Sequence, residues 1–228
     1  MRTFTPFVFQ NPLTFGLLDA IADKTTSHES YRNSFLGLGK ALGEIVTNIK
    51  KIKHQDVLLC CTNEDADWLA AGILDSVSAE NDVSLSVMWN YRHTPENDES
   101  LSAAPVIKAY SEPMSHCDLL IICKSIIHTS CVVRSNIQYL FEKVQPARTI
   151  ILAPVMFKGA DDKLRNEFPS YMSSTFEFVY FAQDDEAKSG EVIPGIGGSI
   201  YERIGLGGSN NKNAYIPDIV KRRRLVRG

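Results

Sequence analysis

The stretch DLLIICKSIIHTSCVV, residues 118–133, decides how the rest of the chain is interpreted. It opens with an apolar run that starts at Leu119 and has the length typical of a buried strand. The residues after it predict a helix that begins near Thr129 or Ser130 and ends near Val144. A short loop between a strand and a helix leaves backbone N–H groups without partners at the helix start. The stretch therefore predicts an anion site, most often for phosphate, unless the loop is simply a turn.

Similar strand and helix patterns repeat on both sides of this stretch. Continuous apolar runs predict strands, and apolar residues spaced three and four apart predict helices. The other predicted strands are 56–62, 83–91, 106–111, 149–157 and 176–182. The other predicted helices are 13–24, a long one that follows the capping residues 25–27, 67–78 and 161–168. Alternation of this kind predicts an α/β protein with three layers and a mostly parallel central sheet.

The length of 228 residues favours a single domain over two small ones. Residues 1–50 are expected to form an N-terminal arm and helices, 51–182 the core, and 183–228 a glycine-rich loop and a basic tail. Residues 1–15 form an aromatic arm that packs on its own domain or on a partner, the former being favoured. The long helix contains three glycines that indicate close packing against a neighbour, namely Gly37, Gly39 and Gly43.

Composition excludes several function classes. A net charge of −3 gives no argument for binding nucleic acid, and no run of about eighteen apolar residues predicts a membrane-spanning helix. The five cysteines lack Cys-x-x-Cys spacing, so a metal site is not predicted. We interpret them as reduced, mostly buried thiols of a cytoplasmic protein.

Three segments leave alternatives open. The glycine-rich segment 190–208 is either a set of turns or a loop that contacts a ligand, and it lacks the context of a dinucleotide-binding motif. The polar segment 92–105 is either a hairpin or a flap over a site. A basic tail is usually solvated and partly disordered, and contact with RNA or an acidic partner is the less favoured alternative. Its basic residues are Lys221, Arg222, Arg223, Arg224 and Arg227.

Taken together, four segments resemble uracil phosphoribosyltransferase, a family with the type I phosphoribosyltransferase fold. They are NPLTFGLLDAIADKTTSHESYRNSF, TNEDADWLAAGIL, NYRHTP and FPSYMSSTFEFVYFAQDDEAKSGEVIPGIGG, with DLLIICKSIIHTSCVV at the place of the loop that binds phosphoribosyl pyrophosphate (PRPP). The resemblance covers nearly the whole chain. It implies the three-layer phosphoribosyltransferase-type fold and a homodimer or higher homo-oligomer. The N-terminal arm and the strand with Met88 and Trp89 are the expected contact surfaces.

The resemblance also implies a reaction and a set of site residues. The family joins uracil to PRPP with Mg²⁺ and releases UMP and pyrophosphate. The residues expected to bind phosphate or PRPP are Arg92, Lys124, Ser125, His128, Thr129, Ser130 and Cys131. The residues expected to bind the base are Val192, Pro194, Gly195, Gly197 and Gly198. No catalytic residue is assigned.

The chain departs from the family's pattern at the charged positions. The family's PRPP loop begins with two aspartates that hold the ribose hydroxyls, and here Lys124 and Ser125 stand in their place. Lys124 is expected to add positive charge to the anion site. The family's Arg-Ala-Gly loop is replaced by residues 63–65 (Asn-Glu-Asp), which should repel pyrophosphate unless a cation bridges them. Gly198 stands where an aspartate is expected.

Three functions remain open. The favoured one is a pseudoenzyme, a regulator or structural protein that binds a nucleotide or another anion with lost or altered PRPP chemistry. The second is an active uracil phosphoribosyltransferase of pyrimidine salvage, which would need Mg²⁺. The third is a transferase with a different base or phosphosugar, for which His128 is a candidate acid or base. Expected ligands are a nucleotide, PRPP or a uracil-like molecule, whereas a membrane or nucleic-acid partner is not expected.

Overall fold

A mostly parallel sheet lies at the centre of the computed structural model, which describes residues 1–93, 102–207 and 211–227. Its strands are β1 (Arg2–Phe4), β2 (Asp56–Thr62), β3 (Asp82–Asn90), β4 (Val106–Ser111), β5 (Leu119–Cys123), β6 (Ile126–Ile127), β7 (Arg148–Phe157) and β8 (Phe176–Asp184). The order across the sheet is β1-β8-β7-β5-β2-β3-β4, and β6 pairs with β7. The five central strands are parallel, whereas β1 and β4 are antiparallel to their neighbours. Two short strands, β9 (Glu186–Lys188) and β10 (Glu191–Ile193), form a separate hairpin.

Helices cover both faces of the sheet. They are α1 (Leu13–Ala22), α2 (His28–Glu44), α3 (Ala71–Val77), α4 (Cys131–Phe141), α5 (Ala160–Asn166), α6 (Ser170–Ser173), α7 (Ile200–Arg203) and α8 (Asp218–Arg227). Successive side chains of a strand point to opposite faces. Accordingly Leu59 and Cys61 pack with α1, α2 and α3, while Leu58 and Cys60 pack with α4 and α5. Burial on both faces explains why the sequence of β2 is a continuous apolar run. The central sheet with helices on both faces confirms the predicted α/β class.

The predicted strands agree with the structure, and the main difference lies in the opening stretch. Strands β2 and β4 have the predicted bounds. Helix α4 begins at Cys131 because β6 pairs with β7 before it and Ser130 has a left-handed φ of 63°. The segment 92–105 is a hairpin at its base, where His93 pairs with Ala103, and its residues 94–101 lie outside the described residues.

The N-terminal arm packs on its own domain. Strand β1 pairs with β8, and Val8 is fully buried. The expectation that Met88 and Trp89 form a contact surface between subunits is wrong, because both side chains are buried inside this chain. The Nε1 of Trp89 donates to the carbonyl oxygen of Tyr215 at 2.8 Å.

The expectation of a partly disordered basic tail is also wrong for residues 218–227, whereas Lys221, Arg222 and Arg224 are exposed, as expected of a solvated tail. Residues 218–227 form α8, in which Ile219 and Val220 are buried. Arg223 donates two hydrogen bonds to the carboxylate of Glu112. The helix is therefore attached to the sheet by both an apolar contact and an ion pair.

The cysteines and the helix lengths agree with the expectations from composition. All five cysteines are buried free thiols. Burial raises the pKa of the Cys60 and Cys61 thiols well above its usual range. Within the described ranges, no helix is long and apolar enough to cross a membrane.

Replacing Gly39 with alanine is expected to destabilise the fold by about 2–3 kcal/mol, because α2 and α3 cross with their backbones in contact. A Cβ atom at Gly39 would lie 2.2 Å from the carbonyl oxygen of Leu69, and backbone cannot move away cheaply. Gly16→Ala in α1 is the matched control, because a Cβ there meets nothing within 4 Å. Urea denaturation should show the control as neutral or slightly more stable. Equal stability of the two variants would contradict the close crossing.

Candidate functional site

A cavity of about 270 Å³ lies where the parallel strands end. Strand β2 leads to Glu64, β3 to Arg92 and β5 to Lys124, and all three residues line the cavity. The carboxyl ends of parallel strands meet at one edge of a sheet, where ligands of open α/β folds usually bind. The start of α4 and the segment that contains β10 and α7 close the other sides, and Lys212 reaches the cavity from the C-terminal part.

The start of α4 forms an anion cradle. Cys131, Val132 and Val133 line the cavity, and N–H groups in the first turn of a helix have no acceptor within the helix. The Arg92 guanidinium donates to Thr129 Oγ1 and to Cys131 Sγ, the latter at 3.3 Å. These contacts hold a cation at the positive end of the helix dipole, so the cradle favours an anion.

Ser130 adopts a backbone conformation in this loop that is uncommon for residues other than glycine. Its left-handed φ is one that glycine adopts without cost. The Ser130 hydroxyl donates to the carbonyl oxygen of Ala160 at 3.0 Å, and the residue is buried. This hydrogen bond offers a local compensation for the strained backbone.

Lys124 is the centre of a buried ion cluster. Its Nζ lies 2.6 Å from Asp65 Oδ2 and 3.0 Å from Glu64 Oε1. It also donates to Ser125 Oγ at 3.2 Å. The Asp65 carboxylate accepts a further hydrogen bond from Thr62 Oγ1 at 2.7 Å. The two carboxylates neutralise the charge of Lys124. The expectation that Lys124 adds positive charge to the anion site is therefore wrong.

The titration of this cluster follows from burial and from opposite charge. Burial would lower the pKa of Lys124, but the two carboxylates outweigh it and raise that pKa. Burial raises the pKa of Asp65, whose side chain is fully buried and whose Oδ1 has no hydrogen-bond partner among the described residues. For Glu64, which is slightly more exposed, the Lys124 ammonium outweighs burial and lowers the pKa. Asp65 is therefore the carboxylate that takes up a proton more readily.

The glycine-rich segment contributes only part of the residues expected to bind the base. Val192 and Gly198 line the cavity. Gly195 lies behind it, with its N–H donating to Asp184 Oδ2 at 2.9 Å. Gly197 packs against α1, where a Cβ would lie 2.7 Å from the carbonyl oxygen of Ile21. These glycines hold the segment in place, and Gly198, with a φ of 106° and open space around it, leaves its backbone accessible.

Side chains of the α1–α2 hairpin fix this segment from outside. The Tyr31 hydroxyl donates to the carbonyl oxygen of Ile196 at 2.8 Å. Arg32 donates to the carbonyl oxygen of Ile204, and Arg203 donates back to Asp23. These hydrogen bonds thus fix the segment that forms this wall of the cavity.

Most of the predicted site residues meet at this cavity. Those that line it are Arg92, Lys124, His128, Thr129, Ser130, Cys131, Val192 and Gly198. Those that are not among its lining residues are Ser125, Pro194, Gly195 and Gly197. Ser125 is fully buried beside Lys124, and the His128 ring packs edge-on against Phe157 at 4.6 Å between centroids.

Several lining residues were not among the predicted site residues. They include Glu64, Asn90, Tyr201 and Lys212. Burial, together with the Glu64 carboxylate, raises the pKa of the Tyr201 hydroxyl. Glu64 comes two residues after the predicted strand 56–62, and Lys124 comes shortly after the strand that starts at Leu119, so strand ends were a signal for both. Nothing in the sequence connects Lys212 to them.

Comparison with known proteins gives a fold but not a family. No family model matches the chain, and no curated protein matches it. The solved structure of the AQ2163 protein from Aquifex aeolicus is similar over 87% of this chain and 96% of that chain, with a TM-score of 0.65 and 14% identity. This likeness shows a shared fold alone.

Two further similar structures are more distant. A hypoxanthine phosphoribosyltransferase from Staphylococcus aureus has a TM-score of 0.41 and 13% identity over 59% of this chain and 67% of that chain. An adenine phosphoribosyltransferase from Thermoanaerobacter pseudethanolicus has a TM-score of 0.37 and 6% identity over 64% and 78%. At these scores they carry no argument about function.

Proposed function

We propose that the cavity binds a phosphorylated ligand of the nucleoside monophosphate class, as a uracil phosphoribosyltransferase-like protein that does not transfer a phosphoribosyl group from PRPP. The start of α4 and Arg92 suit one phosphate group. The segment with Val192 and Gly198 offers an apolar wall and open backbone for a base. The chain would then act through binding, as a regulator or structural protein.

The observation that carries the loss of PRPP chemistry is the ion cluster at Lys124. The resemblance leads one to expect carboxylates after β5 and an arginine after β2, and the signs of charge at these two places are exchanged here. An ammonium group can only donate hydrogen bonds, so Lys124 cannot accept them from ribose hydroxyls. Carboxylates after β2 oppose the charge that builds on a leaving pyrophosphate. Loss of one such stabilising group typically slows a reaction by two to three powers of ten.

The Mg²⁺ that the resemblance implies for an active enzyme does not fit this arrangement. Mg²⁺ binds proteins through one or two carboxylates together with substrate phosphates. Here the ammonium of Lys124 lies against both carboxylates of residues 64 and 65. We therefore expect phosphate binding to be independent of Mg²⁺.

Binding and turnover can be measured separately. Calorimetry with UMP and with inorganic phosphate should detect binding with and without Mg²⁺, while labelled uracil with PRPP and Mg²⁺ should give no UMP. Arg92→Ala should weaken UMP binding by about tenfold or more, since it removes a charged hydrogen-bond donor from the cradle. Arg222→Ala, on the exposed side of α8, is the matched control and should change nothing.

The outcomes separate the two parts of the proposal. Formation of UMP from uracil and PRPP would overturn the loss of chemistry and support the active transferase. If calorimetry detects no binding of either UMP or inorganic phosphate, the proposed binding site itself is overturned.

A further inference from the structure

We propose that the C-terminal segment, residues 211–227, holds Lys212 at the binding site as a second cation for the anionic group of the ligand. This inference deepens the proposed function and rests on it. Lys212 lines the cavity, although it lies far along the chain from the loops that surround it.

The first part of the segment is fixed by side chains from the strand ends. Asn63 Nδ2 donates to the carbonyl oxygen of Lys212 at 2.6 Å. Trp89 Nε1 donates to the carbonyl oxygen of Tyr215. Asn63 directly follows β2 and Trp89 belongs to β3, so the backbone beside Lys212 is attached to the two strands that lead into the cavity.

The start of α8 is capped by Asp67. Its carboxylate accepts hydrogen bonds from the N–H groups of Asp218 at 2.9 Å and Ile219 at 2.8 Å, and from the Tyr215 hydroxyl. A carboxylate at a helix N-terminus is stabilising, since it satisfies free N–H groups and opposes the helix dipole. Asp67 lies two residues after Asp65, so the cap ties the segment to the loop that carries the ion cluster.

The middle of α8 is held by Arg223. Its Nη2 lies 2.7 Å from Glu112 Oε2 and 2.8 Å from the carbonyl oxygen of Val83. The Glu112 side chain is almost completely buried, so this ion pair is shielded from solvent. The segment is thus attached at several places between Lys212 and Arg223, as expected of a part that holds a side chain in a defined place.

The charges around the cavity explain why a cation is useful at this position. Lys124 is compensated by two carboxylates. Among the described residues, neither Arg92 nor Lys212 forms an ion pair with a carboxylate. Arg92 and Lys212 both line the cavity. Both cations therefore face the space that a ligand would fill, and together they suit a doubly charged phosphate group.

The test is to measure UMP and inorganic phosphate binding of the full chain and of Lys212→Met by calorimetry at two salt concentrations. We expect UMP to bind about five- to tenfold more weakly to the variant, with a smaller dependence on salt. Lys221→Met is the matched control, since Lys221 lies on the same segment, is exposed and pairs with Asp218. Its affinity should stay within about twofold of the wild type.

A second variant tests whether the segment affects UMP binding by positioning Lys212 or by stabilising the protein as a whole. Arg223→Ala loosens α8 at a site remote from the cavity, so it should weaken UMP binding in the wild-type background. In the Lys212→Met background it should cause no further loss, because the residue that the segment delivers is already gone. Equal losses in both backgrounds would overturn the role of Lys212.

The remaining outcomes are distinct. If the wild type binds UMP and Lys212→Met binds it equally well, this inference is overturned and the proposed function stands. If the wild type binds neither probe, the proposed function fails and the inference fails with it.

Discussion

Replacing Lys124 with methionine should destabilise the protein by about 3–5 kcal/mol at neutral pH, because it leaves two buried carboxylates without their cation. Methionine fills much of the volume of the lysine stem, so loss of packing contributes little. The carboxylates of Glu64 and Asp65 have side-chain exposures of 8% and 0%, and water cannot solvate them in place of the ammonium. Urea denaturation of both proteins measures the difference directly.

The free energy of unfolding of the same variant should fall as the pH rises from the acidic range. Without Lys124, burial and mutual repulsion raise the pKa of both carboxyl groups, as burial already raises the pKa of Asp65. From about pH 4 upward the folded variant then holds protons that the unfolded chain has released. Its stability is therefore greatest below the unfolded pKa and is lost as the pH rises through the raised folded pKa.

Two further proteins make the result specific to the cluster. Lys40→Met is the matched control, since Lys40 forms an exposed pair with Asp75 at 3.7 Å and should cost less than about 0.5 kcal/mol. Adding Glu64→Gln and Asp65→Asn to Lys124→Met should recover most of the loss, because no buried charge remains. A loss below about 1 kcal/mol in Lys124→Met would show that the cluster is solvated and not buried.

The strands were predictable from sequence because each central strand is buried on both faces. An apolar run such as residues 56–62 buries all its side chains only in the interior of a sheet that is covered on both faces, whichever strands lie beside it. The charge cluster was half predictable. The sequence places acidic residues after one strand and a lysine after another, but the lysine was expected to add positive charge to the anion site. That the lysine pairs with the acidic residues depends on β2 lying beside β5, and strand order is not a local property.

The C-terminal segment was beyond prediction for a similar reason. Its run of basic residues resembles a solvated tail, and its buried apolar residues, such as Ile219 and Val220, are few. The groups that fix it, Asp67 and Glu112, belong to distant parts of the chain. Lys212 and Asn63 are separated by 149 positions, and no spacing rule connects residues so far apart.

Replacing Arg2 with alanine is expected to cost about 3–5 kcal/mol as well, although Arg2 is almost the first residue of the chain. Its Nε and Nη2 lie 2.8 Å and 2.7 Å from the two carboxylate oxygens of Asp184, which is fully buried. The same Nη2 donates to the carbonyl oxygen of Gly195 at 2.7 Å. Among the described residues, removal of Arg2 leaves the N–H of Gly195 as the remaining hydrogen-bond donor to this buried carboxylate.

Thr3→Ala provides the matched control on the same strand. Thr3 is exposed, and its hydroxyl makes a single long hydrogen bond of 3.4 Å, so the change should cost less than about 0.5 kcal/mol. The double variant Arg2→Met with Asp184→Asn should recover at least half of the loss. The asparagine carries no charge and keeps an oxygen that can accept from Gly195.

We expect Arg2→Ala to weaken UMP binding as well as stability, because Arg2 contacts the segment that forms one wall of the cavity. Gly195 lies between Val192 and Gly198, which both line the cavity. If Arg2 and Asp184 hold this segment in its binding conformation, Arg2→Ala should weaken UMP binding at temperatures where the variant is still folded, and Thr3→Ala should not. Unchanged UMP affinity in a folded but less stable Arg2→Ala protein would mean that the ion pair stabilises the sheet edge without shaping the cavity wall.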